Sequence, residues 1–116
     1  MSEFKYVGHS RPLTDGGAKV TGEQKFLGDL QMEGLLHARL VTSPYAHANI
    51  VSIDKALAEQ VEGVVAVFTA DDLPRVSPSA RNKLMLARGR VIFAGQPVAM
   101  VVASNAAAAE DGVDLV

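Results

Sequence analysis

The sequence predicts one small α+β domain with a mixed sheet, two helices and the element order β-β-α-β-β-β-α. Three observations lead to this prediction. The 116 residues suffice for one modest core and are too few for two. Hydrophobic residues make up 48% of the chain, so an extended disordered chain is not expected. Short apolar runs of strand character alternate with turn-forming and helix-capping residues.

Residues 1–34 are predicted to be an irregular N-terminal segment, followed by a domain over residues 35–116. The segment is dense in glycine, aspartate and threonine, which favour turns. The run Leu35–Val41 alternates weakly between polar and apolar residues, which predicts a strand with one wet face. Its core-facing residues are expected to be Leu36, Ala38 and Leu40.

The next stretch predicts a strand and then a helix. Asn49–Ile53 is rich in β-branched residues and is predicted to be the second strand. Asp54 is positioned to cap a helix over residues 55–62, and Gly63 is positioned to end it. Leu57 and Val61 are four residues apart, so they share a face of that helix.

Val64–Phe68 is continuously apolar, which predicts a strand buried on both sides. Thr69 is expected to cap one helical turn, with Asp72 at the capping-box position. Residues 75–83 are polar and are predicted to be a loop.

Two more strands, Val91–Phe93 and Val98–Ala103, complete the predicted sheet. The final helix is expected to be capped by Ser104 or Asn105. The predicted core consists of Leu36, Ala38, Leu40, Ile50, Leu57, Val61, Val65, Val67, Val98, Met100 and Val102.

The apolar stripe of the final helix, with Ala109, Gly112 and Val113, still continues at Val116. This pattern predicts that the chain is part of a longer one. It also predicts a frayed last turn, or self-association through the exposed C-terminal helix.

Composition excludes several kinds of function. Eleven basic and thirteen acidic residues give a net charge of −2 without a basic block, so no nucleic-acid partner is predicted. The lack of cysteine excludes a thiolate nucleophile and cysteine-held zinc or iron–sulfur clusters in this chain. No apolar run approaches the ~20 residues of a membrane span, and a cytoplasmic location is expected.

The three histidines do not predict a catalytic or metal site. His9, His37 and His47 lack the spacing of a helical metal pair. His47, in the stretch SPYAHAN, is predicted to be a turn residue hydrogen-bonded to backbone, so that its replacement would affect stability rather than chemistry.

Lys55, in IDKA, matches the lysine site of lipoyl carrier domains over only three residues, and a helix pattern follows it.

Five stretches of the chain together carry a resemblance. They are, in order, VGHSRPLTDGGAKVTGEQKFLGDL, GLLHARLVTSPYAHANIVSID, GVVAVFTADDLP, LARGRVIFAGQPVAMVVA and AAEDGVDLV. In this order the sequence closely resembles the N-terminal α/β-hammerhead domain of the molybdopterin-binding large subunits of the xanthine dehydrogenase, aldehyde oxidase and carbon monoxide dehydrogenase family. SPYAHANI corresponds to the family's SPHAHARI, with Tyr45 and Asn49 as departures.

The resemblance implies a structural domain of a molybdenum hydroxylase, an oxidoreductase that inserts water-derived oxygen into an aldehyde, N-heterocycle or similar carbon. It implies molybdopterin-bound molybdenum in the remainder of the large subunit, and 2Fe-2S clusters and FAD in partner domains or subunits. It assigns no catalytic, cofactor-binding or metal-binding residue to this chain. The alternative is an independent small carrier or protein-interaction module with the same fold.

Overall fold

The computed structural model describes residues 4–75 and 84–116. The chain divides into two compact units, Met1–Glu33 and Gly34–Val116. Apart from Arg75, the polar loop predicted for residues 75–83 lies outside the described residues.

The described part of the first unit contains a short helix, α1 (Gly16–Thr21), and one 3₁₀ turn (Leu27–Asp29), neither with a buried residue. The sequence prediction of an irregular segment missed α1. Its two leading glycines disfavour a helix, but Asp15 and Lys19 form an ion pair of 2.5 Å along it.

In the described residues of the second unit there are five strands and one α-helix. They are β1 (His37–Thr42), β2 (Ala48–Asn49), β3 (Val64–Thr69), β4 (Arg90–Val91), β5 (Pro97–Ala103) and α2 (Ala106–Val113). One sheet has the order β1-β5-β3, and the other pairs β2 with β4. This confirms the α+β class. The predicted mixed sheet is wrong, because every strand pair in the described ranges is antiparallel.

The helix predicted after Asp54 is reduced to a turn and a 3₁₀ turn at Ala58–Gln60. Asp54 does accept a hydrogen bond from the Ala56 N–H at 3.0 Å. The segment is too short to form a stable α-helix by propensity, so tertiary contacts decide its conformation. Ala58 is fully buried against Val67 and Val101, and the backbone becomes extended at Val61.

Helix α2 packs on one side of the three-stranded sheet. Asn105 caps it as predicted, accepting a hydrogen bond from the Ala108 N–H at 2.8 Å. Alternation along β5 points Ala99, Val101 and Ala103 toward the helix, and all three are fully buried. Val113 and Val116 pack against the cluster of Ala58, Val67 and Val101, so the last turn is not frayed as predicted.

The other side of the sheet holds residues that the sequence assigned to the core. We call this side the outer face; its cross-strand partners form two rows, Leu40–Met100–Phe68 and Ala38–Val102–Ala66. Ala38 and Leu40 are exposed, and the other four are half-buried.

The predicted core is therefore centred on the wrong side of the sheet. Of its members, only Val67 is buried, whereas Leu36, Leu57 and Val65 are exposed. Because β5 is apolar on both faces, alternation did not indicate which face packs on the helix. The contact face is marked instead by small residues, alanine on β5 and alanine and glycine on α2.

Candidate functional site

The second unit contains a cleft of about 390 Å³. It lies beside the Ala70–Asp72 turn that follows β3 and beside the residues that precede β4. Its lining consists of Ile50, Val51, Ser52, Ile53, Thr69, Ala70, Asp71, Arg75, Ala87, Arg88 and Gly89.

Arg88 is bound to the wall of this cleft. Its guanidinium donates to the Asp71 carboxylate and to the Ala70 carbonyl. Arginine forms such multiple contacts readily, because its planar donors are fixed in direction. The Arg88–Asp71 pair joins the turn after β3 to the segment before β4. Each of the two charges is balanced by the other. Sequence patterns gave no signal for this contact.

Among the described residues that line the cleft, no nucleophile lies beside a general base. Its hydroxyl groups are those of Ser52 and Thr69, and Thr69 Oγ1 donates to Asp72 Oδ2 at 3.0 Å. The carboxylate among these lining residues, Asp71, is paired with Arg88. A nucleophilic mechanism requires a base within hydrogen-bond reach of the attacking group. The lining residues therefore provide a structural contact rather than a catalytic set.

Lys55 connects three elements near the same turn. Its ammonium donates to the Val67 carbonyl at 3.2 Å and lies 3.5 Å from Glu59 and 3.8 Å from Asp72. The carboxyl of Asp72 has a lowered pKa, first because it accepts the Thr69 N–H at 2.7 Å, then through the Thr69 hydroxyl and the Lys55 charge. This use of Lys55 differs from that of a carrier lysine, which extends freely from a hairpin tip.

In the SPYAHAN segment, Ser43 rather than His47 makes the turn hydrogen bonds. Ser43 is buried, and its hydroxyl oxygen accepts the Tyr45 N–H at 3.1 Å. Its backbone N–H donates to the Gln96 carbonyl at 3.0 Å, and its carbonyl accepts the Gly95 N–H at 2.8 Å. His47 is exposed, and its ring has no hydrogen bond to another described residue. The predicted histidine hydrogen bond is therefore wrong.

The part of the chain that the structure describes offers no set of side chains that fits a molybdenum centre. Within residues 4–75 and 84–116, no three His, Asp or Glu side chains form a metal-binding group. The sequence also contains no cysteine. Separately, none of the helices in the described parts of the chain is long and apolar enough to cross a membrane.

Comparison with known proteins places this fold in a family. Residues 21–116 match the model of the aldehyde oxidase and xanthine dehydrogenase a/b hammerhead domain. The chain is 37% identical over 121 residues to the nicotine 6-hydroxylase large subunit of Paenarthrobacter nicotinovorans, covering 95% of this chain and 15% of that protein. It is 34% identical over 116 residues to the xanthine dehydrogenase molybdenum-binding subunit of Escherichia coli O157:H7, covering 88% and 15%.

A solved structure shares the same architecture. Quinoline 2-oxidoreductase from Pseudomonas putida 86 superposes with a TM-score of 0.83 at 35% identity, over 97% of this chain and 16% of that one. The chain thus spans about 15% of the length of the relatives it matches. The family match and the similar solved structure agree with each other. The chain therefore belongs to the aldehyde oxidase and xanthine dehydrogenase a/b hammerhead family.

Proposed function

We propose that this chain serves as a structural domain in the large subunit of a molybdenum hydroxylase and performs no chemistry by itself. The family match over residues 21–116 carries this proposal. The cleft supports it, since two of its three charged lining residues, Arg88 and Asp71, are paired with each other. We further propose that residues 35–116 form the hammerhead domain and that residues 1–34 are the segment before it.

For the complete enzyme we propose oxidation of an aldehyde, an N-heterocycle or a similar carbon with oxygen derived from water. The names of the relatives support this class, because they include a nicotine 6-hydroxylase and a quinoline 2-oxidoreductase. Molybdopterin-bound molybdenum would be held by the remainder of the large subunit. That remainder, together with iron–sulfur and flavin subunits or domains, is the proposed set of partners, and the cytoplasm is the proposed location.

The alternative role as a carrier module has no support from the geometry. A carrier lysine needs an extended, accessible side chain, whereas the Lys55 ammonium donates to the Val67 carbonyl and lies beside two carboxylates. Intact-mass measurement of the chain from cells that make lipoyl groups is expected to show an unmodified Lys55.

The decisive experiment compares this 116-residue chain with the complete large subunit that contains it. Both are purified from cells that make molybdopterin, and metal content and dye-coupled oxidation of aldehydes and N-heterocycles are measured. We expect molybdenum and turnover in the complete enzyme and neither in the chain alone. Stoichiometric molybdenum or turnover in the chain alone would contradict the structural role. A complete protein that holds no molybdenum would contradict the assignment to a hydroxylase.

A further inference from the structure

We infer that the outer face of the three-stranded sheet is a docking surface for an apolar surface of the remainder of the same large subunit. This inference rests on the proposed function. The outer face consists of Ala38, Leu40, Ala66, Phe68, Met100 and Val102.

The outer face is uniformly apolar across three strands. Met100 lies between Leu40 and Phe68, and Val102 lies between Ala38 and Ala66. Directly opposed side chains on neighbouring strands are in contact range, so these rows form a continuous patch. Leu40 at its β1 edge retains 50% exposure. Continuous exposed apolar patches on soluble domains usually mark interaction surfaces.

The composition of β5 agrees with burial on both sides. An antiparallel sheet with one wet face has strands that alternate between apolar and polar residues. Residues 98–103 of β5 contain no polar side chain. Ala99, Val101 and Ala103 are buried by their own unit, whereas Met100 and Val102 are half-buried. The sequence of this strand therefore suits a position with a second apolar layer over the outer face.

The relatives indicate what supplies that layer. Quinoline 2-oxidoreductase contains the same fold, and this sequence aligns with only 16% of that chain. Most of that chain is thus further polypeptide, linked covalently to the corresponding domain. A linked surface has a high effective concentration, so it competes well against separate molecules. A second copy through α2 is less suited, because the apolar side of that helix packs on its own sheet.

The test uses Leu40→Glu, with Leu57→Glu as its matched control. Both replace an exposed leucine of the same unit, with 50% and 59% exposure, and Leu57 lies outside the outer face. Each variant is made in the 116-residue chain and in the complete large subunit. Thermal unfolding midpoints, molecular mass in solution and molybdenum content are measured for all forms. Wild-type forms provide the reference.

We expect Leu40→Glu to leave the midpoint of the 116-residue chain unchanged and to lower that of the complete subunit by several degrees. Leu57→Glu is expected to change neither. A complete subunit that keeps its wild-type midpoint with Leu40→Glu would overturn the docking surface while leaving the proposed function intact. Equal loss of stability in the short chain would overturn it too, because Leu40 would then act within its own unit.

Two further outcomes separate the other possibilities. A wild-type 116-residue chain that dimerises, and becomes monomeric with Leu40→Glu, would identify a second copy as the occupant and overturn the inference. A wild-type complete protein without molybdenum would contradict the proposed function. The effect of Leu40→Glu on its unfolding midpoint would still report on docking, so the two failures are distinguishable.

Discussion

Gly112 of α2 lies so close to Val101 of β5 that a Cβ atom on Gly112 would be 2.8 Å from Val101 Cγ1. The same atom would be 3.1 Å from Val64 Cγ2 on β3. By helix propensity alone, this glycine destabilises α2 by about 1 kcal/mol relative to alanine. In the fold its missing side chain allows the helix to approach the sheet.

Replacing Gly112 with alanine is therefore expected to destabilise the protein, although alanine is the better helix former. A Cβ at 2.8 Å from a side-chain carbon forces the helix or Val101 to move. Overpacking of this kind costs about 1–3 kcal/mol. Urea denaturation of the 116-residue chain measures the change. Asp111→Ala, at the exposed neighbouring position, is the control and should be neutral or stabilising. An increase in stability with Gly112→Ala would refute the close packing.

Gly63→Ala should destabilise more than the same change at Gly34. Both glycines have positive φ, 93° and 76°, so both replacements carry the backbone cost of a left-handed conformation, about 1–2 kcal/mol. Only at Gly63 would the new Cβ also meet neighbours, at 3.0 Å from Ala108 Cβ and 3.1 Å from Ser104 Oγ. The difference between the two variants in denaturant unfolding isolates this contact, and equal losses would show that it is absent.

The lowered pKa of the Asp72 carboxyl predicts a pH dependence of stability. A folded-state pKa below the ordinary value means that the ionised carboxylate stabilises the fold above about pH 4. This contribution is lost as the pH falls through the lowered pKa. We expect the unfolding free energy of the wild type to decrease more steeply in this range than that of Asp72→Asn. Asp114→Asn, which removes a different exposed charge, is the control for the change in net charge. Parallel curves for wild type and Asp72→Asn would contradict the assignment.

Ser43→Ala and His47→Ala should differ clearly in stability. Loss of the Ser43 hydroxyl leaves the Tyr45 N–H without its acceptor, which costs about 1–2 kcal/mol. His47 is exposed, so its replacement should change stability by less than about 0.5 kcal/mol. Thermal or urea unfolding of the two variants measures both values. A larger effect at His47 would indicate a contact of its ring beyond those described.

Local signals in the sequence located most elements of the second unit. The apolar runs predicted β3 and β5 within one residue at each end, and Asn105 was among the two capping residues proposed for α2. These features depend on neighbouring residues, as does the bond from the Thr69 N–H to Asp72. They can therefore be predicted from the sequence without knowledge of the tertiary structure.

Local patterns could not predict which face of the sheet packs on α2, nor the contact between Arg88 and Asp71 in the cleft. His37 and Arg39 suggested a wet face, yet they lie on the helix side of the sheet, where Arg39 pairs with Glu110 of α2 at 2.5 Å. A long arginine side chain can cover apolar surface while its charge stays at the edge. Contacts such as Arg88–Asp71 join residues 17 positions apart through the fold, and no local pattern marks them.

The strand order also has a consequence for how the protein is made. Among the strands of residues 4–75 and 84–116, no two consecutive ones pair with each other: β5 pairs with both β1 and β3, and β2 pairs with β4. During synthesis, β1 and β3 leave the ribosome before β5, the strand that bonds to both, has been translated. Pairing between strands that are distant in sequence slows folding. Apolar strands that are still unpaired are prone to associate with other chains. We expect nascent chains stalled before β5 to exchange the amide hydrogens of β3 rapidly. Protection should appear only once Ala103 has emerged, so β5, the latest of the three strands of this sheet to be translated, controls when the sheet forms.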